Sequence, residues 1–480
     1  MKIIKTKNII ILLAALIFAS CNDFLNNQPK GYTIPTYVED YEKLLNSQGL
    51  MSISDGSLEL FTDNVHLLDK TQTASYYIFI NKSESIRNIY AFKPGQINVL
   101  GDKDYIWGNA YSRLFTYNTI INNVMDSKGS EQLKLRVKSE ALFARAYEYY
   151  FLVNTYAKQY NQATANSDYG VPYIKAGDIN QTYKRNTVAE VYKNILDDLK
   201  EAEPNIQNTV PNKSHPNKAA VYSFYAKLYL TMGNYNEALK YANDALALNA
   251  NLVNLNNYDK KEGTTWGRVH LKGNTSERLP DIYSPEANYF KNISGTLQGS
   301  TMLSRNMRDL YAKDLNGAKD LRKEYFFAED QVNLGGSTEY FAGECAFVLY
   351  TNTNMGLTSV ENYFIAAECE ARVGSIDRAM QLINKVRENR MSAISLLTAA
   401  NKEEALTKVL EEKRREYCMR GPIRLFDLKR LNLEPSRQVT VTHSADGEVF
   451  TLAPNDNKYI FPINQDILDF NPDMPIYERK

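Results

Sequence analysis

Apolar residues recur at helical spacing through two long stretches in the first third of the chain. In the first stretch, about residues 104–125, Leu114 and Tyr117 fall on one face of a helix. Trp107 stands at the start of this stripe, so we assign its indole to the core. The second stretch, about residues 141–152, repeats the pattern. The sequence therefore predicts two long consecutive helices.

Two later segments have the pattern of tetratricopeptide-like helix pairs. Gly233 and Gly374 each follow one apolar helix and precede a second helix in which alanine and leucine recur. A glycine ends the first helix of such a pair, and small residues let the second helix pack closely against it. The two glycines lie much further apart than the roughly 34-residue period of a tandem array. We therefore expect dispersed helix pairs rather than a solenoid.

Three short motifs predict local details of the helices. Thr187 and Glu190 have the spacing of a capping box that begins another helix. Glu411 with Arg415, and Glu416 with Arg420, have the i,i+4 spacing of ion pairs on a helix surface. Arg145 and Arg424 are expected to hold loops in place rather than to contact a ligand.

Helical periodicity is lost between about residues 250 and 345, where Asn, Gly, Ser and Asp accumulate beside aromatic residues. Long irregular segments on a rigid scaffold are where binding surfaces commonly lie. We predict a mainly α fold in which tetratricopeptide-like helix pairs form a scaffold over about 36–250 and 355–480. A large irregular, loop-rich insert at about 250–345 would face the ligand. Residues 21–480 would form a single domain.

Residues 1–20 have the pattern of a lipoprotein signal peptide. Three lysines within the first seven residues precede an apolar run that ends at Phe18 and is too short to span a bilayer. Small residues then precede Cys21, as in a lipobox, so we expect cleavage before Cys21 and acylation of its thiol. The alternative is an ordinary secretory signal that happens to contain a cysteine. Because no later stretch approaches about 18 consecutive apolar residues, the acyl chains would be the membrane anchor.

Charge and cysteine content narrow the class of function. The chain has 56 basic and 56 acidic side chains, and loss of the signal lysines leaves the mature protein near −3. Nucleic-acid binding requires a basic field, so this balance argues against it. Beyond Cys21 remain the scattered Cys345, Cys369 and Cys418, which we interpret as buried thiols rather than a disulfide framework or zinc cluster. The four histidines have no i,i+4 pair, and we predict neither a metal nor another cofactor.

Five segments in order along the chain carry a family resemblance. They are Cys21–Leu25 with Val38–Leu45, Glu140–Ala146 leading to Gly170–Pro172, Ala366–Arg390, Glu412–Arg430, and Leu452–Ile463 with Asn471–Pro472. Together they resemble the SusD/RagB family of outer-membrane nutrient-binding lipoproteins and cover nearly the whole mature chain. Two departures occur: the chain has one residue more than usual between Gly421 and Arg424, and it lacks the family's usual final Gly-Tyr.

The resemblance implies a lipid-anchored, surface-exposed protein of the outer membrane. Such proteins lie over a TonB-dependent transporter of the SusC/RagA type and pass oligomeric nutrients to it. Because glycans dominate among the family's ligands, we expect an oligosaccharide first, with an oligopeptide, as for RagB, as the alternative. The family binds its ligands without transforming them.

Two further functions stay open from the residues alone. Two carboxylates are enough for glycoside hydrolysis, although the chain has no nucleophile elbow, zinc-protease motif or phosphate loop. The helix pairs could also dock other proteins as a passive scaffold. The resemblance favours a receptor that is not an enzyme.

Five aromatic residues are the candidate ligand contacts. Trp266, Tyr283 and Tyr340 lie in the irregular insert, while Tyr76 and Tyr77 lie before the two long helices, in a segment that often faces the ligand in the family. An aromatic face can stack on a sugar ring without a deep pocket. The chain has 34 Tyr against 2 Trp, and tyrosine suits packing between helices as well as wet binding surfaces. Composition alone leaves both interpretations open for each of these residues.

Overall fold

The computed structural model describes residues 35–73, 78–176, 183–260, 269–279, 283–294, 301–334, 337–347 and 354–480. Within these ranges the α-helices are α1 Val38–Leu45, α2 Glu84–Tyr90, α3 Tyr105–Asn123, α4 Glu131–Tyr156, α5 Val188–Ala202, α6 Lys218–Thr231, α7 Tyr235–Leu248, α8 Arg305–Ala312, α9 Leu321–Phe326, α10 Ser359–Val373, α11 Ile376–Arg387, α12 Lys402–Glu416, α13 Ile423–Leu431 and α14 Gln465–Phe470. The strands are β1 Ser52–Asp55, β2 Val65–His66, β3 Tyr258–Lys260, β4 Val269–Leu271, β5 Asn274–Arg278, β6 Ala287–Tyr289, β7 Asn292–Ser294, β8 Met302–Leu303, β9 Phe327–Leu334, β10 Ser337–Phe347, β11 Leu357–Thr358, β12 Val441–Ala445 and β13 Glu448–Leu452. The fold is mainly α, as the sequence predicts.

The helix α4 forms the centre of the core. Every residue from Ser139 to Tyr156 is buried, so this part of the helix is enclosed on all sides by α3, α5 and the segments around them. Buried charges on α4 are paired, as a low-dielectric interior requires. Arg145 binds Asp198 of α5 through two hydrogen bonds of 2.7 Å. The predicted pair of long helices is confirmed, but Arg145 joins α4 to α5 and, through Asn118, to α3 rather than fixing a loop.

The predictions for Trp107, for the capping box and for Gly233 are confirmed. Trp107 lies in the first turn of α3 and is 7% exposed. The Thr187 hydroxyl accepts from the amide of Glu190, and the Glu190 carboxylate accepts from the amide of Thr187, which completes the capping box. Gly233 adopts a φ of 77° between α6 and α7, in the left-handed region that glycine favours.

The two helix pairs pack into one unit. Helix α10 contacts α7, α11 and α12, so the pair α6–α7 lies beside the pair α10–α11. Small side chains make this close packing possible, since Ala238, Ala242 and Ala366 are fully buried there. The helical scaffold therefore brings together segments that are far apart in the sequence.

The ion pairs of α12 differ from the predicted ones. Glu411 pairs with Lys313, and Arg415 pairs with Glu412 rather than with Glu411. Glu416 is buried and binds Arg322 and Arg390, which come from other segments. The i,i+4 prediction is wrong because it assumes that this face of α12 is exposed to solvent. In the fold, arginine side chains cover it. Arg424 does hold a loop, through hydrogen bonds of 2.8 and 2.9 Å to Asp63.

The segment 250–345 contains more regular structure than its sequence indicates. Within the described residues it holds the strands β3 to β10 and the short helices α8 and α9. Four strands form one sheet in the order β2-β8-β10-β9, and β3, β4 and β5 form another. Strands β6 and β7 instead pair with β11 and β1, outside the segment. Most of these strands have two to five residues, which is too few for an alternating pattern to stand out.

Two compositional features have structural counterparts. Cys345, Cys369 and Cys418 are buried free thiols, as predicted. Burial raises the pKa of the Cys345 thiol to about 12, so it stays protonated and unreactive at neutral pH. In the part of the chain that the structure describes, no helix is long and apolar enough to cross a membrane.

Candidate ligand-binding surface

The structure places two of the five candidate aromatics, and both are exposed. Tyr283 precedes β6 and is 80% exposed, and Tyr340 lies on β10 and is 71% exposed. They lie on different elements, because Tyr283 is in the turn before β6, which pairs with β11, whereas Tyr340 is on β10 of the four-stranded sheet. Tyr76, Tyr77 and Trp266 lie outside the described residues, as does Cys21. The stacking role of all five residues remains a prediction.

A cluster of polar side chains lies on the four-stranded sheet that carries Tyr340. The imidazole Nε2 of His66, at the end of β2, lies 3.0 Å from Glu344 Oε2 on β10. Gln72 donates its side-chain amide to the other oxygen of Glu344 at 3.1 Å. We call His66, Gln72, Glu344 and Arg308 the sheet-edge cluster. All of these residues except Gln72 are partly buried, so their polar atoms are held in place while still reaching solvent.

Arg308 completes the sheet-edge cluster from α8. Its NH1 atom lies 3.7 Å from Glu344 Oε2, and its Nε atom is buried without a hydrogen-bond partner. Ser304 is the N-cap residue of α8: its hydroxyl accepts a hydrogen bond from the amide of Met307 and donates one to the carbonyl of Asp63. The Arg308 side chain is 26% exposed, so the outer part of its guanidinium can offer N–H groups to a ligand oxygen beside the shared carboxylate.

A second set of contacts fixes the chain segment that leads from His66 toward Tyr76 and Tyr77. Asp446 occupies the turn between β12 and β13 with a φ of 53°, in an Asp-Gly sequence typical of tight hairpins. Its amide donates to Asp69 at 2.8 Å, and its carboxylate accepts from the amide of Lys70 at 3.2 Å. The β12–β13 hairpin therefore holds Asp69 and Lys70 in place through these two hydrogen bonds.

The carboxylate of Asp69 is held ionised. Burial acts to raise its pKa, but hydrogen bonds from the Thr71 hydroxyl and from the amides of Asp446 and Thr71 outweigh this, and the pKa is lowered. An ionised acceptor at this position strengthens the bonds that shape the loop. The base of the surface is further fixed by Tyr90, which stacks on His443 with ring centroids 4.2 Å apart.

The chemistry of this surface suits binding of polar oligomers. The sheet-edge cluster presents a carboxylate, an imidazole, an amide and a guanidinium, all of which hydrogen-bond hydroxyl or carbonyl groups. Tyr340 adds an exposed ring from the same strand as Glu344. Among the described residues, no group of three or more His, Cys, Asp or Glu side chains could hold a metal ion.

Sequence reasoning did not identify the sheet-edge cluster. His66 and Glu344 are 278 positions apart, and neither stands in a motif. The sequence indicates this cluster only indirectly, since His66 and Glu344 both lie in segments that we expect to face the ligand. The pairing of β2 and β10 with the intervening β8 brings them together, and these short strands have no pattern that would reveal the partners.

Two family models match the chain. A model described as starch-binding associating with outer membrane matches residues 23–230, and the model of the SusD family matches residues 360–475. A curated relative, a SusD-like protein from Formosa agariphila, is 29% identical over 141 residues. That alignment covers 28% of this chain and 25% of the relative, about a quarter of the relative's length.

Solved structures share the fold over nearly the whole chain. A SusD superfamily protein from Bacteroides thetaiotaomicron superposes with a TM-score of 0.70 at 18% identity, covering 92% of this chain and 99% of its own. A SusD-like carbohydrate-binding protein from Bacteroides vulgatus superposes with a TM-score of 0.65 at 18% identity, covering 92% of this chain and 97% of its own. A laminarin-binding SusD-like protein superposes with a TM-score of 0.60 at 17% identity, covering 93% of this chain and 99% of its own.

Proposed function

This chain belongs to the SusD/RagB family, and on that premise we propose that it is a lipid-anchored outer-membrane protein that binds oligomeric glycans and passes them to a partner TonB-dependent transporter of the SusC/RagA type. An oligopeptide is the alternative ligand. The ligand would be held at the cell surface and released unchanged. The acyl chains on Cys21 would keep the protein beside its transporter.

The observation that carries this proposal is the order and extent of the two family matches. They cover residues 23–230 and 360–475 and leave residues 231–359 between them. The uncovered stretch holds the whole insert of about residues 250–345, including Tyr283 and Tyr340. Loops and insertions on a shared scaffold commonly carry the individual specificity of a binding protein. We infer that the ligand preference of this chain is set there.

Glycans are favoured over peptides on two grounds. The solved relatives include a carbohydrate-binding and a laminarin-binding protein of the same fold, although that likeness bears directly on the fold alone. The exposed Tyr340 and the sheet-edge cluster supply a ring for stacking and polar groups for hydroxyls, the combination that sugar recognition requires. The Tyr340 ring is exposed rather than enclosed in a pocket, which suits a long polymer better than a small free substrate.

Binding of oligosaccharides by the purified protein tests this proposal. The chain from residue 22 onward, without its lipid, is titrated calorimetrically with α- and β-linked glucose oligomers of two to eight units and with oligopeptides of the same lengths. We expect affinity for at least one glycan series to rise with chain length, and the recovered sugar to be intact. If only the oligopeptides bind, the ligand is a peptide and the glycan assignment is wrong. If the recovered oligosaccharides are shorter than those added, the protein is an enzyme.

A further inference from the structure

The outer side of α3 carries no charge. Among the 19 residues of this helix only Arg113 is charged, and it is buried and paired with Glu148 at 2.6 Å. Two large aromatic side chains project from the outer side, since Tyr105 is 68% and Phe115 is 67% exposed. The other exposed residues of the helix are Gly108, Asn109, Ser112, Asn122 and Asn123. We call the exposed residues of α3 the uncharged face.

Helix α5 provides a comparison within the same scaffold. It packs against α4, as α3 does, and its exposed residues are all charged: Glu190, Lys193, Asp197, Lys200 and Glu201. Charged residues of both signs are typical of a helix face that stays in water. Exposed aromatic rings without charges among them are instead typical of the centre of a protein interface, which is depleted in charged residues. The uncharged face therefore has the composition of a surface that a partner covers.

Polar side chains on and beside this face make hydrogen bonds within the protein. Thr119 Oγ1 donates to the Phe115 carbonyl at 2.9 Å, and the side-chain amide of Asn123 donates to the Thr119 carbonyl at 2.7 Å. The side-chain amide of Asn122 donates to the Lys175 carbonyl at 2.9 Å. Donors that bind backbone carbonyls in this way are not offered to a ligand. Because a glycan needs donors for its hydroxyl groups, these contacts favour a protein partner over a sugar.

The chain enters the fold beside the end of α3. The amide of Lys128, which follows this helix, donates to the Thr36 carbonyl at 2.9 Å, and its carbonyl accepts from the amide of Val38 at 2.8 Å. Val38 packs against the last turns of α3 in one apolar cluster. From Cys21, the proposed site of acylation, to Pro35 the chain can span at most about 50 Å when fully extended. A lipid on Cys21 would therefore hold this end of α3 close to the membrane.

The size of the uncharged face argues against a second copy of this chain as the occupant. A helix of 19 residues is about 28 Å long and about 10 Å wide, so its face offers about 300 Å². Two free proteins that form a stable complex each contribute about 800 Å². Contact through this face alone would not hold two copies together in solution. It can contribute to a complex whose members are already held side by side, because tethering raises their effective concentration.

The charge of the face argues against a lipid surface. Helices that lie on a membrane present Lys and Arg to the lipid headgroups. The uncharged face has neither, since Arg113 is buried. The face therefore suits a protein that is fixed in the same membrane as the lipid anchor.

We propose that the uncharged face of α3 docks on the partner TonB-dependent transporter. The inference rests on the proposed function, which supplies the transporter, and adds which face of this chain meets it. Tyr105 and Phe115 would be the apolar anchors of the contact. The exposed charged residues next to the two ends of α3, Lys103 and Asp126, would lie at its polar rim.

Site-specific crosslinking in the cells that make the protein tests this docking. A photoreactive amino acid replaces either Ser112, which is exposed in the uncharged face, or Lys200, which is exposed on α5, and the cells are irradiated before lysis. We expect position 112 to be joined to a TonB-dependent transporter, identified by mass spectrometry of the adduct, and position 200 not to be joined to it. The proposal is overturned if position 112 is joined only to a second copy of this chain or only to lipid. Equal adducts of the transporter at the two positions would also overturn it.

Two variants place a charge in the uncharged face. Ser112→Arg and Phe115→Arg each add a cation that would lose its water in the docked state. Each should therefore lower the amount of transporter that copurifies with the tagged protein from detergent-solubilised membranes by about tenfold or more. Both positions are exposed, so the melting temperature should be nearly unchanged.

Lys200→Glu is the matched control. It reverses a charge on the exposed side of α5 and should leave the copurified transporter unchanged. If Ser112→Arg and Phe115→Arg also bring down as much transporter as the wild type does, the uncharged face is not the docking surface.

The same variants separate this inference from the proposed function. In calorimetric titrations with oligosaccharides, Ser112→Arg should bind as the wild type does, because α3 lies outside the insert. If glycans bind and neither arginine variant changes the copurified transporter, the docking surface is wrong and the receptor function stands. If the wild-type protein brings down no TonB-dependent transporter, delivery to a transporter fails and this inference fails with it, whereas glycan binding stands on its own titration.

Discussion

Arg322 donates to Glu412 at 2.6 Å, and the two side chains are 2% and 0% exposed. Arg322 lies on α9, inside the insert, whereas Glu412 lies on α12 of the helical scaffold. Arg387 and Arg415 bind the other oxygen of the same carboxylate at 2.6 and 2.9 Å. The insert is therefore joined to the scaffold by a buried ionic network as well as by apolar packing.

Glu412→Ala should destabilise the protein by about 3 to 5 kcal/mol, because it leaves Arg322, Arg387 and Arg415 without their shared carboxylate in a dry interior. These arginines lower the pKa of Glu412 to about 2 against the opposing effect of burial, so the carboxylate is ionised at neutral pH. Urea unfolding at pH 7 measures the change.

Its neighbour Glu411 provides the control. Glu411 pairs with Lys313 at 2.7 Å, but both side chains are partly exposed to solvent. Such a pair contributes about 0 to 1 kcal/mol. If Glu411→Ala lowers the free energy of unfolding as much as Glu412→Ala does, the buried network is not what joins the insert to the scaffold.

Glu59 makes the stability depend on pH near neutrality. Its side chain is 1% exposed, Oε1 accepts from Asn64 at 2.7 Å, and Oε2 has no partner. Burial raises its pKa to about 7, which outweighs the hydrogen bond from Asn64. Between about pH 4.5 and 7 the folded carboxyl holds its proton while the unfolded one has lost it, so rising pH favours unfolding.

We expect Glu59→Gln to remove this dependence. The free energy of unfolding of the wild type should fall relative to the variant by up to about 1.4 kcal/mol per pH unit across that window. Urea unfolding of both proteins at pH 4.5, 5.5, 6.5 and 7.5 gives the difference at each pH. A constant difference across the four values would mean that Glu59 is already ionised in the folded protein.

The local elements could be predicted from the sequence because their determinants are close together along the chain. The helix α3 has a stripe with a 3.6-residue period, and the capping box needs only Thr187 and Glu190. The turn at Gly233 needs one residue that tolerates a positive φ. Each of these depends on neighbours within a few positions, so one sequence is sufficient.

Contacts between distant segments, including those of the candidate surface, could not be predicted in the same way. Glu416 has a suitably spaced Arg420, yet its partners are Arg390 and Arg322, which only the fold brings near. His66 likewise meets Glu344 through three strands that have 2, 2 and 11 residues. Long-range pairing of short strands is set by packing that spacing does not encode.

Two glycines should respond to alanine in opposite directions. A Cβ at Gly356 would overlap the carbonyl oxygen of Tyr289 where β11 pairs with β6, so Gly356→Ala should destabilise by about 1 to 3 kcal/mol. A Cβ at Gly108, exposed on α3, would meet nothing within 4 Å, so Gly108→Ala should stabilise by about 0.5 to 1 kcal/mol. Thermal unfolding of the two variants measures both shifts, and a stabilising Gly356→Ala would contradict the strand pairing.

Cys21→Ala should release the protein from the membrane, because the acyl chains would be its strong anchor. The measurement is the distribution between soluble and membrane fractions after a salt wash, in cells that lack the transporter partner. Cys345→Ala is the control, since this thiol is buried and should not affect fractionation. A Cys21→Ala protein that stays in the washed membrane pellet would refute the lipid anchor.

Aromatic residues of the insert should carry much of the energy of glycan binding. Tyr340→Ala and Trp266→Ala should each weaken the best oligosaccharide by about 1 to 3 kcal/mol, the range for truncation of a large aromatic contact at an interface. Because Tyr340 is 71% exposed, its loss should leave the melting temperature nearly unchanged. Calorimetric titration and thermal unfolding of the same samples provide the two values.

The matched control is Tyr105→Ala, which removes a tyrosine that is 68% exposed on α3 of the scaffold, outside the insert. If exposed tyrosines contribute to binding by stacking at a specific surface, Tyr105→Ala should bind as the wild type does. If Tyr105→Ala and Tyr340→Ala lose the same amount of oligosaccharide affinity, the effect comes from removing any exposed aromatic ring and not from a specific binding surface. If Trp266→Ala leaves the affinity unchanged and sharply lowers the melting temperature, Trp266 is a packing residue. The ligand surface would then lie around the sheet-edge cluster and would not include Trp266.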